Sequence, residues 1–113
     1  MAVIFTKCDP KALLKEFQDK IKQKKAEGKI NTWEENAGNF THTSRQWNQQ
    51  AFFKPIIGEE LLEFSIVRPQ GKKISDEAYA YYHGHLIQTF LTHFGGSFKY
   101  GAATGTPTKD DLC

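Results

Sequence analysis

The stretch "AFFKPIIGEELLEFSIV", residues 51–67, restricts the possible folds more than any other part of the chain. It reads as two strands, "AFFKPII" and "LLEFSIV", separated by "GEE". A strand with one wet face alternates apolar and polar side chains, whereas one covered on both faces does not. Here Phe52 stands beside Phe53, Leu61 beside Leu62, and Ile66 beside Val67. Both strands therefore want cover on two sides. Pro55 cannot donate to a ladder, so it marks an edge, a bulge or a strand end.

Cover for one face is easy to find. In "CDPKALLKEFQDKIKQKKAEGK", Asp9 is a good N-cap, Pro10 suits the first helical position and Gly28 suits a left-handed terminator. Leu13, Leu14, Phe17 and Ile21 form one apolar stripe, which predicts a helix over about 10–27. A second helix is predicted over 76–94. Ser75 caps it, Asp76 and Glu77 favour its positive end, Ile74 and Tyr79 can staple it, and Gly95-Gly96 stops it.

Between the first helix and residue 51 the period is two. "INTW" and "FTHTSRQW" read as strands around the turn "ENAGN", and "SFKYGAAT" can add a last strand. The order predicts an α+β two-layer sandwich: an antiparallel sheet of four to five strands with both helices on one face. Residues 1–113 are expected to form a single domain, with 105–113 a flexible tail.

A chain of 113 residues can bury a core without disulfides or metal. Its 39% hydrophobic content excludes the disordered class, and 13% aromatic content points to a core built on rings. No apolar run is long enough to span a bilayer, and "MAVIF" is too short for a signal segment. Cys8 and Cys113 lie near opposite ends, which is neither a disulfide framework nor a metal spacing. These features lead to the expectation of a cytoplasmic protein. Eight lysines lie between Lys7 and Lys29, but four acids interleave with them, so a solvated helix face is the simpler reading than a nucleic-acid patch.

Chemistry concentrates in "YAYYHGHLIQTFLTHF", residues 79–94. Metal-binding histidines on one helix need a spacing of three or four, and His83, His85 and His93 lack it. No metal and no cofactor is expected. On a helical wheel His83 sits in the apolar stripe with Tyr79, Leu86, Ile87, Phe90 and Phe94, while His85 falls on the polar face. If "FTHTSRQW" is a continuous strand with Phe40 inward, then His42, Ser44 and Gln46 also face the helices. Either this strand is a solvated edge or His42, Ser44, Gln46 and His83 line a polar cavity. No catalytic residue is assigned, because no carboxylate near Ser44 in the sequence would orient a histidine base.

The opposite side of that strand would carry Arg45 and Trp47, joined by Trp33 and Arg68, a composition found on single-stranded nucleic-acid platforms. The leading expectation is a binding or accessory module that acts through a protein interface as a homodimer. Phe52 or Phe53, with Leu61 and Val67, would supply that interface. A small-ligand pocket protein or minor enzyme is the second reading, and nucleic-acid binding is the third and weakest.

Overall fold

A computed structural model describes residues 2–108 and 111–112. The elements are β1 (Val3–Thr6), α1 (Pro10–Lys22), β2 (Trp33–Asn36), β3 (Asn39–His42), β4 (Phe52–Ile57), β5 (Leu61–Val67), α2 (Asp76–Phe94) and β6 (Tyr100–Ala103). The strands form one antiparallel sheet in the order β2-β3-β4-β5-β1-β6. The α+β sandwich is as expected, with six strands instead of four to five. The added strand is β1, whose Val3 lies between Phe64 of β5 and Ala103 of β6.

Both helices begin where their caps dictate. Asp9 accepts from the Ala12 N–H at 3.2 Å, and Ser75 accepts from the Ala78 N–H at 3.1 Å. Helix α1 is shorter than the expected 10–27. At Gln23 the backbone turns extended, and the Gln23 amide donates to the carbonyls of Lys25 and Glu27. Gly28, at φ +72°, therefore serves the following loop and not the helix end.

Strands β2 and β3 join through a tight turn at Ala37 and Gly38, both at positive φ, the backbone of a hairpin that follows the sheet twist. The expected strands "INTW" and "FTHTSRQW" shift accordingly. Ile30 is buried outside the sheet, and β3 stops at His42.

The core is a layer of rings between helices and sheet. Phe17 of α1 packs 4.6 Å from Phe40 and 4.9 Å from Phe90 of α2. Phe90 stacks on Phe5 at 4.2 Å, and both Phe17 and Phe90 meet Phe64 edge-on. Sharing Phe64 places both helices on one face of the sheet. Burying each such side chain contributes about 1.5–3 kcal/mol.

The other face carries Ile4, Phe52, Ile56, Leu61 and Val67, all half-buried, together with Glu63 and the exposed Lys54. Phe52 and Val67 are direct cross-strand partners. Phe53 belongs to the inner face and is fully buried, so the choice between Phe52 and Phe53 for the outer surface falls on Phe52.

Beyond β1, the free edge of β5 is met by the C-terminal segment. Leu112 forms a parallel bridge with Val67, donating to the Ile66 carbonyl at 2.8 Å and accepting from the Arg68 N–H at 2.6 Å. Asp111 Oδ1 accepts from the Ile66 N–H at 3.0 Å. These two contacts lie inside the stretch expected to be a flexible tail; Cys113 is outside the described residues. Among the described residues no helix is long and apolar enough to cross a membrane.

Candidate functional site

Strands β3 and β4 pair only at Phe40 and Phe53, then part. The chain between them folds into tight turns, with the N–H groups of Trp47 and Asn48 both donating to the Ser44 carbonyl. The Tyr82 hydroxyl enters the gap, donating to the Trp47 carbonyl and lying 3.0 Å from Thr41 Oγ1. Asn48 fastens the loop by donating to Glu34 and to the His42 carbonyl. The end of β3 is thereby held against the middle of α2.

His42 stands at this junction, 3% exposed. Its Nδ1 accepts from the Ser44 N–H at 3.1 Å and lies 3.0 Å from Ser44 Oγ. A ring nitrogen that accepts from a backbone N–H carries no proton itself, so the neutral ring holds its proton on Nε2. That Nε2 lies 3.1 Å from His85 Nδ1 and donates to it. The result is a directed chain, Ser44 to His42 to His85.

Aromatic rings wall the chain. Trp47 stacks on Tyr81 at 4.6 Å, Tyr81 stacks on His85 at 5.4 Å, and Trp33 meets His42 edge-on at 5.3 Å. Burial, with the neighbouring His85 charge adding to it, lowers the His42 pKa to about 4. Burial also lowers that of His85. Both rings are therefore neutral near pH 7.

Two imidazole nitrogens sharing a metal lie about 2.9–3.4 Å apart, so the His42–His85 spacing alone would suit one. The Ser44 amide opposes that use, because it keeps the proton on the nitrogen that would have to ligate. Among the described residues no group of three or more His, Cys, Asp or Glu side chains is placed to hold a metal.

His83 is buried as the helical wheel required, but it does not join His42. Its Nδ1–H donates to the Tyr79 carbonyl at 2.6 Å, its ring stacks on Tyr79 at 3.9 Å, and Phe53 meets it edge-on. Nε2 is buried with no hydrogen-bond partner among the described residues. Burial lowers its pKa, partly opposed by the Tyr79 carbonyl and by Asp111. The helix is rotated from the expected wheel so that Tyr82, not His83, heads the buried face, which swings His85 towards β3.

The expected row of His42, Ser44 and Gln46 requires an extended strand, and the strand ends at His42. Ser44 bends back to His42, while Gln46 and Arg45 are exposed on the turn. The expected Trp33, Arg45, Trp47 and Arg68 surface is likewise divided. Trp33 is 1% exposed on the inner face, donating to Thr89 Oγ1 at 3.0 Å, and Arg68 lies exposed beyond the end of β5.

Sequence reasoning overlooked Tyr81, Tyr82, His85 and Thr89 as parts of this junction. A signal existed for two of them: Tyr81 and His85 are four apart and share a helix face. No known protein family, curated protein or solved structure matches this chain, so the reading of its function rests on the geometry of these residues.

Proposed function

We propose that the chain is a small cytoplasmic binding module that acts through the outer face of its sheet and pairs there with a second copy. The observation that carries this reading is the half-buried apolar row of Phe52, Val67, Leu61, Ile4 and Ile56, on the face opposite the one that both helices occupy. Contiguous apolar surface beyond a few hundred Å² is rare on monomers and commonly marks an interface. A two-fold pairing uses the same patch twice. Lys54 and Glu63 lie within the row, so Lys54 of one copy can meet Glu63 of the other across the axis.

Light scattering at micromolar concentration tests the pairing. The expected mass is twice 12.9 kDa, and Phe52→Glu should halve it while leaving the thermal midpoint near that of the wild type. A wild-type mass near 12.9 kDa would refute the dimer. The small-ligand or minor-enzyme reading retains a specific support in the Ser44–His42–His85 chain. Burial of Trp33 takes one tryptophan from the nucleic-acid platform.

A further inference from the structure

We infer that Ser44, His42 and His85 form a nucleophilic relay able to transfer an acyl group from a carboxylic ester to water. The requirement for such a relay is a hydroxyl within about 2.6–3.2 Å of a base, with the base oriented by a third group. Ser44 Oγ is 3.0 Å from His42 Nδ1, and His42 Nε2 is 3.1 Å from His85 Nδ1. The sequence offers no carboxylate for the third position, and the fold supplies an imidazole from α2 instead.

The hydrogen-bond directions suit this use. Nδ1 of His42 is unprotonated, and its one lone pair, shared between the Ser44 N–H at 3.1 Å and the hydroxyl at 3.0 Å, is the site that takes the proton. The Nε2–H already points at an acceptor, the lone pair of His85 Nδ1, which fixes the tautomer and orientation of the His42 ring. Ser44 is half-buried in the turn that follows β3, so its hydroxyl is not sealed in the core. Among the described residues no acceptor meets the N–H groups of Arg45 and Gln46, which directly follow Ser44 in the chain.

The chemistry balances without metal or oxidant. Ser44 Oγ bonds to the ester carbonyl carbon, and its proton passes to His42 Nδ1. The bond from that carbon to the alkoxy oxygen breaks, and the leaving alkoxide takes the proton from His42. Water then attacks the acyl-serine, giving its proton to His42; the carboxylic acid departs, and Ser44 Oγ recovers the proton. His42 is the catalytic base and Ser44 the nucleophile. His85 touches neither substrate nor reacting atom and is a positioning residue.

The test is reaction with a fluorophosphonate, which phosphonylates activated serines, followed by peptide mass spectrometry and by p-nitrophenyl acetate hydrolysis. The expected result is one adduct, on Ser44, absent in Ser44→Ala. His42→Gln should slow its formation at least about 100-fold, the lower range for a lost general base. The low His42 pKa implies a wild-type rate that is flat from about pH 8 down to pH 5. In His85→Ala the rate should fall and its acid limb should move up towards the ordinary imidazole range, which a merely structural role would not produce. The inference is overturned if Ser44 of the folded wild type reacts no faster than the exposed Ser75 and Ser97. It is equally overturned if folded His42→Gln reacts at the wild-type rate. Should that variant fail to fold, the site of wild-type modification decides alone.

Discussion

Replacing His42 by glutamine should change how the stability of this protein depends on pH. An unfolded imidazole titrates near 6.5, and folded His42 titrates at about 4. Between these values the unfolded chain binds a proton at this position that the folded chain refuses. Stability from this group is therefore fully present above about pH 6.5, falls as the pH drops through the window, and levels off below about 4. Each pH unit of separation is worth about 1.4 kcal/mol, so the full window amounts to about 3 kcal/mol. With the ring only 3% exposed, little of that is lost to solvent screening. Urea unfolding at half-unit steps from pH 7.5 to 4 measures it. The wild type should lose about 2–3 kcal/mol more than His42→Gln over that range. His83, whose pKa burial also lowers, is present in both proteins and largely cancels in the comparison. Parallel stability curves, within about 0.5 kcal/mol, would refute the neutral buried imidazole.

Four further outcomes follow from local contacts. His83→Ala should cost about 1–3 kcal/mol in a denaturation midpoint through the lost Tyr79 stack and the cavity left behind, and His85→Ala should cost about 1 kcal/mol by stranding the His42 Nε2–H; a silent His85 would contradict the pairing. Trp33→Phe should cost about 1–2 kcal/mol, and Thr89→Val in that background should cost less than it does alone, because the buried Nε1–H to Oγ1 bond is already gone. Removing residues 111–113 should speed amide exchange at Ile66 and Arg68, whose N–H groups the C-terminal segment accepts, while leaving Phe64 protected.

Most local decisions could be read from the chain because they are local. Asp9, Pro10 and Ser75 act through groups within one helical turn, so the helix starts were legible, and so was the inward face of Phe17 and Phe90. The two-faced character of β4 and β5 was legible from adjacent apolar pairs. What escaped is non-local. "VIFT" has no pattern long enough to announce a strand, and only its partners on either side make it one. The end of β3 depends on Tyr82 wedging between strands and on Asn48 bridging to Glu34, contacts that no period in the sequence encodes. The site inherits that limit. His42 could be singled out from the sequence, but its partner hung on a helix rotation set by Tyr82 and by the Trp33–Thr89 bond, which moved the junction from His83 to His85.

The position of β1 also bears on how quickly the molecule can assemble. Strands β2 to β5 each pair with the strand before or after them in the chain, so they can zip up by short loop closures. β1 pairs only with β5 and β6, the strands at residues 61–67 and 100–103, and it must wait for both. Such distant pairings pay a large loop-closure entropy before any contact repays it, which slows folding towards the millisecond-to-second range. Until β1 arrives, β5 has an open edge and the ring layer lacks Phe5, so an intermediate exposes both a strand template and apolar surface. During synthesis β1 leaves the ribosome ahead of both of its partners, and its two edges stay unpaired until β5 and then β6 have emerged.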